Sequence, residues 1–372
     1  MRVAVLGAGG TIAPAIVRDL AESEEVQALR LLDLDLRRAE EVALDHGLGK
    51  AQAYEADATS NLTERLAGTD VLVNSGAYRI NLAAMSSCLE AGCHYMDLGG
   101  LYHVTSEQLT FSARFEAQGL LALLGIGSAP GKTNLLAARA VAQLPGDLVS
   151  ISVAAAGRDL APTSGLSFPY AVRTLLDELT MPPMALINGK PEELEPMQMG
   201  PTIDFGEPIG EAETIFTLHS EVLTFGGSFG ARNVTFALSL PDEVLRHLNE
   251  LVGASEERVA AAARSASPPS DSTVSVHLVE AAGADTTVRA RSVTEPIERW
   301  GIGGGVVSTA TPAAAAVRLL ARGRITAVGA MPPERCIDPD EMFAELEGRG
   351  VRFEVTAAPS PEAQPLFARM TR

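Results

Sequence analysis

Residues 3–17, VAVLGAGGTIAPAIV, constrain the fold more than any other part of this chain. An apolar strand runs into a glycine turn and then directly into a helix. A short way downstream a second strand ends on an acid, Leu29-Arg-Leu-Leu-Asp33. Glycines let the backbone turn tightly and approach a pyrophosphate, and the helix behind them offers free N–H groups and a positive dipole end. Strand, turn, helix and downstream acid together read as the βαβ unit that binds a dinucleotide. Gly7, Gly9, Gly10, Thr11 and Ile12 are the candidate phosphate loop. Gly7 and Gly9 fit G-x-G-x-x-G, but the third glycine position holds Ile12. Read as G-x-x-G-x-x-A, the motif is Gly7, Gly10 and Ala13, and alanine still permits close helix–strand packing. Asp33 is placed to accept hydrogen bonds from the ribose hydroxyls, which favours NAD. Asp35 is an alternative, and Arg37 and Arg38 follow closely enough to receive the 2′-phosphate of NADP.

The same alternation continues. Strands are expected at 2–6, 28–32, 51–55, 71–74, 94–97 and 120–124. Helices are expected near 11–21, 36–44, 61–66, 81–91 and 105–118. Short connections between alternating elements predict a doubly wound parallel α/β sheet of Rossmann type. Ligands of such sheets lie outside the carboxyl ends of the strands. Asp57, Asn74, Ser75, Gly76, Tyr78, Asp97 and the loop 126–132 stand there. The second half reads differently, with strands near 149–155, 184–187, 233–239, 273–280 and 286–293. The last two form a hairpin, so an inserted α+β region with a mostly antiparallel sheet is expected. An alanine-rich helix at 311–320 is expected to pack back onto the first domain.

Length sets the domain count: 372 residues suggest two domains. The expected division is 1–125 plus about 305–372 for the dinucleotide domain, and 126–304 for a substrate and dimerisation domain. A homodimer or larger homo-oligomer is expected. A net charge of −18 argues against a nucleic-acid or anionic membrane partner, and leaves a small-molecule substrate. No apolar run reads as long enough to span a membrane, and the chain opens on a strand, so a cytoplasmic protein is expected. Cys88, Cys93 and Cys336 form no C-x-x-C pair, and no metal-ligand spacing occurs, so neither disulfides nor a metal are expected.

Four residues stand out for catalysis. Asp97 ends a strand where it could orient an ammonium or assist proton transfer, or else cap the turn before Gly99 and Gly100. Tyr78 follows Asn74-Ser75-Gly76, and its hydroxyl could reach a substrate or simply pack. Lys132, in Ser-Ala-Pro-Gly-Lys at a helix start, reads either as a carboxylate binder or as a solvated first-turn lysine. His219, in His-Ser-Glu221, could exchange a proton near neutral pH.

These segments resemble the saccharopine dehydrogenase-like family, nearest its lysine 6-dehydrogenase-type branch. The resemblance rests on VLGAGGTIAPAIVRDL, LLDLDLRRAEE, TDVLVNSGAY, AGCHYMDLGG, SAPGKTNLLA and ARGRITAVGAMPPERC in this order. It implies an NAD- or NADP-dependent oxidoreductase acting on the C–N bond of an amino acid or derived amine, by oxidation or by imine reduction. It also implies Gly7, Gly9, Gly10, Ile12 and Asp33 on the dinucleotide, and Asn74, Ser75 and Gly76 on the nicotinamide side. Asp97, Tyr78 and the loop from Ser128 to Lys132 would then face the substrate. Two alternatives are a reductive condensing enzyme, making a saccharopine- or carboxynorspermidine-like secondary amine, and an inactive dinucleotide-binding regulator. The chain departs from the family at Gly125, where an acid is common in D-x-G-x-A-P-G, and at Lys132, usually apolar or small.

Overall fold

A computed structural model describes residues 1–162 and 166–360. The described residues form two compact units: Met1–Lys132 with Val306–Arg349, and Thr133–Gly305 with residues 350–360.

The first unit is built on a seven-stranded sheet. β1 (Arg2–Leu6) lies between β2 (Ala28–Asp33) and β4 (Val71–Asn74). β3 (Ala51–Glu55) forms one edge beside β2, and β5 (His94–Asp97) and β6 (Leu121–Leu123) extend the other side. The strand Gly329–Met331 closes the sheet beside β6, and every pairing is parallel. All four residues of β4 and the last four of β1 are buried, as parallel strands covered on both faces require. The strand order reverses between β1 and β4, which opens a crevice at their carboxyl ends. The stretch expected as one helix at 105–118 is two, Leu101–Leu109 and Ser112–Glu116. Thr110 Oγ1 donates to the Glu107 carbonyl at 2.6 Å, a side-chain bond that competes with continuation of the helix.

The helix Gly304–Ala321 is longer than the expected 311–320. By length and composition it reaches the range of a membrane span, contrary to the sequence expectation, but most of it is buried in the structure. It reads as a core helix: Ala313 to Ala316 are fully buried, and buried Arg318 pairs with Asp19 at 2.8 Å and Glu345 at 2.6 Å.

The second unit carries an eight-stranded mixed sheet. Its order is Val351–Pro359, Thr286–Thr294, Thr273–Ala282, Ser150–Asp159, Asn233–Ser239, Met184–Ile187 and Lys190–Glu193, with Ile215–Phe216 also on Asn233–Ser239. Pairing is antiparallel except between Ser150–Asp159 and Asn233–Ser239. One apolar cluster of this unit joins Ala154, Ala156, Phe205, Val276, Leu278 and Val293. Residues 351–359, read from sequence as part of the dinucleotide domain, instead pair along their length with Thr286–Thr294. Their side chains alternate, with Val351 buried and Phe353 and Val355 half-buried, which is the pattern of a strand with one covered face. The remainder of that expected block, 361–372, lies outside the described residues.

Candidate dinucleotide site and buried proton-carrying groups

The loop after β1 is shaped by close backbone approach. Gly7 has φ +76°, and a Cβ there would lie 2.7 Å from the Gly76 Cα and N. The loops after β1 and β4 therefore touch through glycine alone at this point. Ser75 Oγ donates to the Leu6 carbonyl at 2.8 Å, and Gly76 N–H donates to Asn74 Oδ1 at 3.0 Å. Gly10 and Thr11 are exposed, and Ile12 is buried as the N-cap of the helix Ala13–Glu22. That helix start has no side-chain cap, so its first turn stays available to phosphate oxygens. Asp33 closes the other side: Oδ2 accepts from Gly9 N–H at 2.8 Å and Oδ1 from Asp35 N–H at 2.9 Å. Arg38 lies against Gly9, where an added Cβ would meet its Cβ at 2.8 Å. A glycine cradle, an uncapped helix start and an acid at the end of β2 fit a dinucleotide. Asp57 stands in the turn after β3, one residue past Ala56, whose N–H donates to the Asp33 carbonyl at 2.9 Å; the Asp57 carboxylate accepts from Thr59 N–H at 2.8 Å and Thr59 Oγ1 at 2.7 Å. These two bonds hold its pKa below the usual carboxylate value.

Asn74 and Asp97 face inward. Asn74 Nδ2 donates to Asn81 Oδ1 at 2.9 Å, and Asn81 Nδ2 donates to Asp97 Oδ2 at 3.1 Å. Gln108 Nε2 donates to the same Oδ2 at 2.6 Å, while Oδ1 accepts from Gly99 N–H at 2.9 Å and Gly125 N–H at 2.7 Å. Asp97 is 1% exposed, and both its oxygens are occupied. Burial raises its pKa, against the hydrogen bonds from Gln108, Gly125, Tyr95 and Gly99. The carboxylate thus ties the loops after β4, β5 and β6 into one buried network. Position 125 has φ +73°, and a Cβ there would lie 2.6 Å from Pro130 Cγ, so this loop has no room for the acid common in the resembling family. Tyr78 is half-buried in the short turn Tyr78–Ile80, with the Arg79 guanidinium 4.7 Å from its ring centre.

Lys132 is not solvated. It is fully buried, and Nζ donates to Ser308 Oγ at 2.7 Å. Its neighbourhood is a tight loop: Gly127 N–H donates to the Pro130 carbonyl at 2.9 Å, and Lys132 N–H donates to the Gly127 carbonyl at 3.0 Å. Ser128 Oγ and Thr309 Oγ1 are 3.1 Å apart. Burial lowers the lysine pKa to about 7. The Ile126 N–H donates to the Asp97 carbonyl at 2.7 Å, so this loop adjoins the Asp97 network at the carboxyl ends of β5 and β6.

His219 belongs to the second unit. It stacks on Phe236, ring centres 3.5 Å apart, between two buried carboxylates. Nε2 is 3.7 Å from Glu178 Oε2, and Nδ1 is 3.5 Å from Glu221 Oε2. Burial disfavours the charged ring, but Glu178 and Glu221 outweigh it, and the pKa rises to about 9. The sequence signal reached His219 and Glu221, which are neighbours in the chain. It missed Glu178, Ser308, Asn81 and Gln108, whose partners are distant in sequence.

Comparison with known proteins adds three findings. Residues 3–123 match the family model described as the saccharopine dehydrogenase NADP binding domain. Among curated proteins, a carboxyaminopropylagmatine dehydrogenase from Synechocystis sp. is 28% identical over 151 residues, covering 38% of this chain and 37% of the relative. A carboxynorspermidine synthase from Vibrio alginolyticus is 28% identical over 116 residues, covering 28% of each. The matched stretches thus span 37% and 28% of these relatives' own lengths. Among solved structures, apo saccharopine dehydrogenase (L-Glu forming) from Saccharomyces cerevisiae aligns with a TM-score of 0.70 and 16% identity. That alignment covers 96% of this chain and 99% of the other, a likeness of fold throughout.

Proposed function

We propose, from the premise that this chain belongs through residues 3–123 to the saccharopine dehydrogenase NADP-binding domain family, that it oxidises the C–N bond of an amino acid or derived amine, or reduces the corresponding imine. The observation that carries the reading is Lys132, a buried amine with a pKa of about 7 beside the strand-end loops of an NAD(P)-binding unit. Bound nicotinamide supplies the hydride acceptor or donor. An ammonium must lose a proton before its carbon can release hydride, and a base poised near the working pH suits that transfer. Lys132 takes that role, with Ser308 fixing its Nζ. Gly7, Gly9, Gly10 and Thr11 cradle the pyrophosphate, Asp33 holds the ribose, and Ser75 and Gly76 line the nicotinamide side. Asp97 acts as a positioning residue through Gly99 and Gly125. Tyr78 is a substrate-side candidate. The curated relatives carry names of carboxylated amines, which supports the substrate class.

The test is turnover of the purified chain with NAD⁺ and NADP⁺ against amino acids and diamines, followed through nicotinamide absorbance. The reverse assay offers NADH or NADPH with an amine and an aldehyde, because a synthase among the relatives favours reductive condensation as the second reading. Turnover in either direction supports the proposal. Tight cofactor binding without turnover in any arm overturns it in favour of a dinucleotide-responsive regulator.

Asp33→Ala is expected to weaken NAD⁺ by about tenfold, as loss of a charge-assisted bond to the ribose implies. NADP⁺ should lose less, because Arg38 stands ready for its 2′-phosphate. Fluorescence titration with both cofactors checks this, and equal losses would contradict the ribose assignment.

A further inference from the structure

Two buried carboxylates share one imidazole in the second unit. Glu178, His219 and Glu221 are each at least nine-tenths buried. Neither ring nitrogen of His219 makes a hydrogen bond, and Glu221 Oε2 makes none. Two hydroxyls among the described residues also bond to these carboxylates. Tyr170 donates to Glu178 Oε2, and Thr133 Oγ1 donates to Glu221 Oε1 at 2.8 Å. Phe236 covers one face of the imidazole. One imidazole thus faces two carboxylate side chains, and Glu221 Oε2 is left without a hydrogen-bond donor. Buried charges persist when they are paired, and an unpaired one is strongly unfavourable.

We propose that Glu178, His219 and Glu221 form a recognition site for the ammonium group of an amine ligand. An ammonium brings three donors on one compact charge, and Glu221 Oε2 offers an unoccupied acceptor. A hard divalent cation is a poorer match, since it takes six or more oxygen ligands. Tyr170 is the half-buried member, so it marks the side from which a ligand amine reaches the group, and its ring adds a favourable face for a cation. The assignment rests on the reading of the chain as an amine oxidoreductase and names the charge recognition by which that substrate class is bound.

The test is isothermal titration of the full chain with n-butylamine, putrescine and L-lysine, against 1,4-butanediol as the uncharged match. Amine-dependent binding without diol binding is expected. Glu178→Gln and Glu221→Gln should each weaken the amines by about ten- to hundredfold, the range for a charged hydrogen bond. Their NAD(P)⁺ affinity should hold. Amine binding that is absent from the wild type, or equal in both variants, overturns the assignment. Should the variants fail to fold, the His219 ring resonances of the wild type give a second readout. They are identified with His219→Gln, and resonances unmoved by the amines also overturn it. A protein that binds amines through these glutamates but never turns over would sink the oxidoreductase reading alone. Turnover with an unchanged amine KM in both variants would sink this one alone.

Discussion

Replacing Lys132 with methionine is expected to lower turnover by about 10²–10⁴-fold, the usual contribution of a positioned acid or base. Methionine fills similar volume without a charge, so the loop around Gly127 and Pro130 should keep its shape. Wild-type oxidation should rise with pH through about 7, where the lysine becomes neutral, and the variant should lack that inflection. Stability should rise with pH as well, over a higher window. The folded-state pKa lies below the unfolded value of 10.5, so the unfolded chain binds more protons between about 7 and 10.5. The burial penalty is therefore full below about pH 7 and is relieved as pH climbs. Wild-type stability should gain up to ~1.4 kcal/mol per pH unit across that window, and the variant should show no such slope. At neutral pH the variant should melt at a higher temperature than the wild type. Wild-type turnover in Lys132→Met would remove the lysine from the proposed chemistry.

Asp97→Ala is expected to destabilise the first unit by about 3–5 kcal/mol, because it leaves buried donors from Asn81, Gln108, Gly99 and Gly125 without an acceptor. Sequence reasoning alone points to Asp97→Asn as a change that slows turnover and spares cofactor affinity. The geometry points elsewhere. Asparagine keeps one acceptor for Gly99 and Gly125, but its amide meets the amides of Asn81 and Gln108 donor to donor. The loops after β5 and β6 should loosen, and stability and cofactor affinity should fall together. Urea unfolding with cofactor titration checks this. An Asp97→Asn protein that unfolds like the wild type yet turns over slowly would return the carboxylate to direct contact with substrate.

The βαβ unit and its glycine turn were legible because their signals are local. Gly7, the helix at Ala13 and Asp33 lie within one βαβ unit, and the turn chemistry at Asp97 shows in Gly99 two residues on. The burial of Lys132 was not legible. A lysine in the first turn of a helix is ordinarily solvated, and the bond of its Nζ to Ser308, on a helix distant in sequence, leaves no local signal. Glu178 and His219 likewise meet through tertiary contact and not spacing: Glu178 is on the helix Val172–Thr180, and its carbonyl accepts from Leu218 N–H at 3.1 Å. The strand Val351–Pro359 had a readable two-residue alternation in Val351, Phe353 and Val355. Its partner, though, is set by tertiary pairing with Thr286–Thr294, which no local pattern specifies.

The order in which the two sheets are completed bears on biosynthesis. The edge of β6 waits for Gly329–Met331, which is translated only after all of Thr133–Gly305. The edge at Thr286–Thr294 waits in turn for Val351–Pro359, which follows the return to the first unit. Each half is therefore left with an open sheet edge on the ribosome until its late strand, Gly329–Met331 or Val351–Pro359, has been made. Domain-by-domain folding during synthesis is denied to both, and unpaired edges of this kind invite association between nascent chains. Truncation before residue 329 should thus yield aggregating protein and not a smaller working enzyme.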